Sequence, residues 1–430
     1  MTLFNQTRRD LLKSAAAISA ATSLGPIAAT PSFAAAPGKD ALEGIDQVLN
    51  QATSAKEIPG VVAMAVNGDG VIYEGAFGKR DLVKGTDMTV DSVFWIASMT
   101  KALTATAAMQ LVEQGKLQLD EPISKILPQL ASPQVLEGFD DKGVPKLRPA
   151  KRAITLRMLL THTAGFTYDI WDANTLQYNK YAGLPGIISC KNDALKTPLA
   201  FDPGDRWEYG INMDFVGKAV EAVSGQNLAV HLREHVFKPL GMKDTDFVIG
   251  ADQKTRLVTM HARKPDGGLD PIEFGIPQEP EFFMGGGGLY GTARDYLAFL
   301  QMIMHGGEFN GARLLRSETI AEMSKNNIGD VKIAYLKTAI PSASPDVDLP
   351  SMFPGDDLKW GLSFLLNAKQ GPAGRSAGTL SWCGLANTYF WVDPAKHVAG
   401  VIFTQILPFV DPRFMNLYAQ FESSIYKAVA

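Results

Sequence analysis

The sequence predicts an α/β fold: an antiparallel sheet flanked by helices, built from both ends of the chain, with a mostly helical domain inserted between them. Three observations carry this. Two β-rich runs, Val61–Val66 and Val71–Phe77, stand near the start. Three more, Leu362–Leu366, Thr388–Val392 and Val398–Thr404, stand near the end. The long stretch between them reads as helices and loops. The expected division is an α/β sandwich from residues 37–97 and 283–430, and a helical domain from 98–282.

The chain opens on Thr7-Arg8-Arg9-Asp10-Leu11-Leu12-Lys13, then a moderately apolar stretch, Ala15–Ala29, then Ser32-Phe33-Ala34-Ala35-Ala36. A charged segment, an apolar segment and small residues in that order form an export signal, and the paired arginines make it a twin-arginine signal peptide over residues 1–34. Cleavage is expected after Ala34 or Ala36. The protein is thus expected to be periplasmic or secreted. Ser, Thr and Pro interrupt this segment short of the roughly 20 apolar residues a membrane span needs.

The 430-residue chain carries a net charge of −4. The first 34 residues hold Arg8, Arg9 and Lys13 against Asp10, so the remainder is near −6. That balance argues against nucleic acid or anionic membranes as partners. Two cysteines, Cys190 and Cys383, are too few for a disulfide scaffold. His231 and His235 have no third ligand or H-E-x-x-H context. No metal and no cofactor is expected.

Ala41–Ala52 has the periodicity of an amphipathic helix. Asn67-Gly68-Asp69-Gly70 joins the first two strands as a hairpin. Ser98–Glu113 is expected as a helix ending at Gly115; Leu156–Thr161, Met213–Ser224 and Leu228–Phe237 are further helices. Gly285–Gly288 lacks the Lys-Ser/Thr of a phosphate cradle and reads as backbone held close to a site wall. Thr292 is positioned to cap the helix Tyr296–His305. Asn326–Asp357, rich in Pro, Ser and Asp, reads as a long surface loop, and Met415–Ala428 as a closing helix.

Chemistry centres on Ser98-Met99-Thr100-Lys101. Residues three apart on a helix share a face, so one rigid element can present a nucleophile and a base. Lysine acts as that base only when its pKa is depressed. Two further stretches suit such a site. Tyr209 follows the Pro203-Gly204 turn and precedes a helix. Trp382-Cys383-Gly384 reads as an edge strand whose end leaves room for a substrate and an N–H donor for an oxyanion. Taken singly, each also suits a bland role: a capping serine with a surface lysine, a core tyrosine, a buried strand-end tryptophan.

Together, in this order and spacing from about Ile45 onward, these motifs resemble the serine hydrolases of the class C β-lactamase and penicillin-binding-protein superfamily, and most closely the family VIII carboxylesterases. Leu159-Leu160-Thr161-His162-Thr163-Ala164-Gly165 and Gly285–Thr292 resemble stretches shared across the superfamily. The resemblance implies a β-lactamase-like sheet. It implies Ser98 as acylated nucleophile, Lys101 and Tyr209 as the residues that move its proton, and the backbone N–H groups of Ser98 and Leu385 as the oxyanion hole. His162 looks structural.

The departures are informative. Trp382 stands where a lactamase has a lysine for the substrate carboxylate. Ile211 stands two residues after Tyr209, where a lactamase has asparagine; Asn212 comes one later. Cys383 replaces a middle glycine usual in the esterases. Hydrolysis of small neutral carboxylic esters is therefore expected over β-lactam turnover. An amidase, β-lactamase or transacylase with the same serine is the alternative, and a non-catalytic penicillin-binding-protein-like binding module the reading outside enzymes. The expected substrate-binding residues are Trp382, Gly384, Phe166, Tyr168, Trp171 and Phe283; Tyr178, Tyr181 and Phe282 are further aromatics of the same segments.

Overall fold

A computed structural model describes residues 39–333, 335–353 and 357–430. The expected signal peptide lies outside the described residues. Within them, an eight-stranded sheet joins both ends of the chain. Its order runs Leu358–Trp360, Leu365–Asn367, Leu380–Gly384, Thr388–Asp393, Val398–Phe403, Gly60–Asn67, Gly70–Asp81 and Thr86–Asp87. Every neighbouring pair is antiparallel. The N-terminal hairpin meets the C-terminal strands where Val62 faces Phe403 and Asn67 faces Val398. The hairpin turn is held by the Asn67 side chain, which accepts from the N–H groups of Asp69 and Gly70.

Alternation along Thr388–Asp393 sorts the two faces. Tyr389 and Trp391 meet Tyr418 and Phe421 of the closing helix Pro412–Ala428, which packs beside the first helix, Lys39–Ser54. Phe390 points the other way, onto Tyr296 of the helix Ala293–Met304. Thr292 caps that helix as expected, accepting from Asp295 N–H at 3.2 Å. The sheet is thereby covered on both faces, which explains why its central strands are buried along their whole length.

Between the two halves of the sheet come the helices Thr100–Glu113, Leu156–Leu160, Ala173–Ala182, Asn212–Ser224 and Leu228–Leu232. The expected helix to Phe237 changes pitch: Arg233–Phe237 widens into π turns just before Pro239, whose ring crowds a regular helix. The strand expected over Leu362–Leu366 is displaced. A turn at Gly361–Phe364, with Ser363 in the left-handed region at φ 76°, separates two shorter strands. The strand holding Trp382 is also not at the sheet edge. It lies inside the sheet, but its neighbour pairs only with Leu380 and Ser381. Trp382–Gly384 therefore run past the end of that neighbour and are open on one side, as an edge is.

No described helix is long and apolar enough to cross a membrane. Both cysteines are free and buried.

Candidate active site

Ser98 sits on a single tight turn, Ala97–Met99, that leads directly into the helix Thr100–Glu113. Ala97 is held at φ 45°, a left-handed conformation that costs a non-glycine residue about 1–2 kcal/mol. Met99 N–H closes the turn onto Ile96 C=O. The result is a half-exposed serine on a rigid corner, with Lys101 one turn on and fully buried.

Lys101 has three oxygen neighbours. Nζ lies 3.1 Å from Ser98 Oγ, 3.0 Å from the Tyr168 hydroxyl and 2.6 Å from Gly286 C=O. Burial pushes its pKa down to about 7, against the pull of the Asp214 carboxylate. A neutral amine has two N–H bonds and one lone pair. Gly286 C=O can only accept, so it takes one N–H; Tyr168 oxygen takes the second. The lone pair is left for the Ser98 proton.

Tyr209 completes the arrangement. Its ring lies under Lys101, with Nζ 4.6 Å from the centroid, and its hydroxyl is close enough to Ser98 for the serine to act on its pKa. The Trp382 indole Nε1–H donates to that hydroxyl at 2.9 Å. Burial holds the Tyr209 pKa well above the ordinary phenol value, so it stays protonated. The loop carrying it is pinned by Gly210, where a Cβ would stand 2.2 Å from Phe166 C=O. Asn212 helps too: its amide lies 3.0 Å from His162 Nδ1 and donates to Phe166 C=O. Asn212 is thus engaged with His162 and Phe166. His162, wholly buried between Trp207, Tyr209 and Trp360, is kept neutral by burial and by the Lys101 charge.

Asp214 is also buried, and burial raises its pKa. Oδ1 accepts from Gly286 N–H at 2.9 Å. A side chain at Gly286 would displace these groups: a Cβ would stand 2.9 Å from Asp214 Oδ2 and 3.0 Å from the Tyr168 hydroxyl. Gly384 is equally confined, with a Cβ falling 2.6 Å from Ile96 C=O. That contact seats the open strand end against the serine turn. The next residue, Leu385, and Ser98 line one cavity, and neither N–H is used in a turn or loop hydrogen bond among the described residues. Burial pushes the Cys383 thiol far up, so it stays uncharged.

The cavity has a volume of about 540 Å³. Tyr168 and Trp171 line it, as the sequence suggests. Trp382 stands behind Tyr209 instead, edge-on to Trp360 at 4.6 Å. Phe166 is not brought to this wall. It stacks on Phe215 at 4.5 Å and borders a separate groove with Tyr178. Phe283 packs on Phe247. Sequence reasoning missed Trp95, Phe274, Ile187, Ile188 and Ile340, which supply much of the apolar wall. It also missed the Lys101 contact of Tyr168 and the clamp of Asp214 on Gly286. The loop 335–353 reaches the cavity because Trp171 Nε1–H donates to Ser344 Oγ and Ala339 N–H donates to Ile170 C=O.

Comparison with known proteins finds relatives over most of the chain. The Beta-lactamase family model matches residues 45–423. A lovastatin esterase of Penicillium rubens is 30% identical over 398 residues, covering 89% of this chain and 98% of the esterase. Monacolin J acid methylbutanoyltransferase of Aspergillus terreus is 30% identical over 412 residues, covering 91% and 97%. A mutant form of simvastatin synthase from Aspergillus terreus superposes with a TM-score of 0.79 at 29% identity, covering 90% of this chain and 97% of that one.

Proposed function

The chain belongs to the Beta-lactamase family, and on that footing we propose that it is a serine carboxylesterase working through an acyl-enzyme. The observation that carries this is the three-way coordination of Lys101, which leaves its lone pair facing Ser98. Neutral Lys101 takes the Ser98 proton as Oγ attacks the ester carbonyl, and the tetrahedral oxyanion forms against the N–H groups of Ser98 and Leu385. Collapse breaks the bond to the alkoxide, which receives a proton from Tyr209 O–H; the Lys101 ammonium restores the Tyr209 proton. Water then attacks the acyl-serine by the same route reversed. Each oxyanion donor is worth about 3–4 kcal/mol.

Trp382 supports esters over β-lactams. Its indole binds Tyr209, and no charge stands there to hold a substrate carboxylate. The test is turnover of p-nitrophenyl acetate, butyrate and octanoate beside a chromogenic cephalosporin, with Ser98→Ala as control. Fast ester cleavage lost in the variant supports the reading. Cephalosporin turnover matching the esters overturns the ester preference.

A second reading, acyl transfer to an alcohol, is supported by the transferase relatives and by the apolar cavity, which suits an organic acceptor better than water. Both readings share the first half-reaction. Adding an alcohol and measuring the ratio of new ester to free acid separates them. The Arg8-Arg9 leader supports export of the folded protein, tested by the N-terminus of the exported chain.

A further inference from the structure

One group in the Ser98 cavity is unlike the rest. The wall is built of aromatic and aliphatic side chains, glycine and small residues, and it contains no Lys, Arg or His. Its single carboxylate is Asp169. Asp169 is half-buried, and burial raises its carboxyl pKa; the groups that act against this, its own N–H, Ile170 N–H and the Asn179 amide, are all neutral. Oδ2 lies beside Gly186, itself part of the wall, so that a Cβ there would be 3.8 Å from it. No ion pair of Asp169 is present among the described residues. A carboxylate set in an apolar wall without a protein cation leaves its charge for whatever enters the cavity. Lys101 does not cancel it as the substrate enters, because Lys101 must then be neutral to accept the Ser98 proton.

Resting on the esterase reading above, we propose that Asp169 is a specificity-determining residue that sorts esters by charge. The favoured substrate has an apolar body filling the cavity and a cationic group, such as a quaternary or primary ammonium, meeting Asp169; esters bearing a carboxylate are rejected. The attraction has an anchor besides charge. Trp171 and Tyr168 flank Asp169 in sequence and line the same wall, and aromatic faces also favour an ammonium.

The experiment uses two matched substrate series at pH 8 and low salt. In one the charge is on the acyl chain: p-nitrophenyl esters of 6-(trimethylammonio)hexanoic acid, its neutral isostere 7,7-dimethyloctanoic acid, and adipic acid as the half ester. In the other it is on the alcohol: hexanoate esters of choline, of its neutral isostere 3,3-dimethylbutanol, and of 3-hydroxypropanoate. The expected result is a kcat/KM ratio of cationic to anionic ester of at least about tenfold in one series, as unscreened charges in a part-buried site require. Asp169→Asn, which keeps the hydrogen-bonding shape, is expected to collapse that ratio by about tenfold. A ratio near one in both series of the wild-type protein overturns the proposal without needing the variant, and so does a ratio unchanged in a folded Asp169→Asn. Hydrolysis of neither neutral ester, with Ser98 left unlabelled by a fluorophosphonate, overturns the esterase reading and this proposal with it. Neutral turnover without charge sorting overturns only the proposal.

Discussion

Trp382 Nε1–H donates to the Tyr209 hydroxyl at 2.9 Å, so the phenol that faces Ser98 is held by an uncharged group. Trp382→Phe keeps most of the volume and removes the donor. A hydrogen bond of this kind is worth about 1–1.5 kcal/mol. The expected outcome is a fall in kcat of about tenfold with KM little changed, read from steady-state ester hydrolysis.

The rate should rise with pH through the Lys101 pKa, which burial brings down to about 7. Below it the ammonium has no lone pair for the Ser98 proton; above it the amine is ready. Asp214 pulls that pKa up, so Asp214→Asn should move the acid limb of the kcat/KM profile to lower pH. A limb that stays put would separate Asp214 from Lys101.

Gly384→Ala forces a Cβ to within 2.6 Å of Ile96 C=O and 2.3 Å of Thr388 Oγ1, both in the packed interior. Overpacking of this kind costs about 1–3 kcal/mol. A lowered melting temperature is expected together with a large drop in kcat, because the displaced neighbour is the serine turn itself.

Arg375 and Glu422 form a hydrogen-bonded ion pair with both side chains 6% exposed, and Arg375 also donates to Ser381 Oγ and the Tyr418 hydroxyl. Glu422→Ala strands a buried guanidinium, which costs about 3–5 kcal/mol. Denaturant unfolding measures it directly.

Trp171→Ala enlarges the cavity and should shift acyl preference toward longer chains. Phe166→Ala, remote from that wall, should instead cost about 3–5 kcal/mol of stability through the lost Phe215 stack. Rates on acetate, butyrate and octanoate esters, with melting curves, distinguish the two.

The local signals in the chain were legible where periodicity or turn chemistry is strong. The hairpin at Asn67–Gly70, the Thr292 cap and the Ser98–Lys101 spacing all rest on contacts within a few residues. The split around Ser363 was hidden because nothing in Leu362–Leu366 marks a left-handed serine. The cavity wall was hidden for a different reason. Trp95, Ile187, Phe274 and Ile340 come from four distant segments, and only the fold brings them together. Aromatic residues near the His162 motif divide between two surroundings, which spacing alone does not show. Phe166 turns into Phe215, while Tyr168 turns to Lys101.

Lys101 lies wholly beyond the reach of bulk water. On the mechanism proposed, the proton lifted from Ser98 therefore leaves only with the alkoxide, by way of Tyr209, and the neutral amine waits beside the acyl group for the next arrival. Water and a bulky alcohol find the same waiting base and the same waiting ester. What decides between them is residence in the greasy antechamber above the serine. The balance between breaking an ester and remaking one is then a matter of occupancy, adjustable from the walls without touching the residues that move protons.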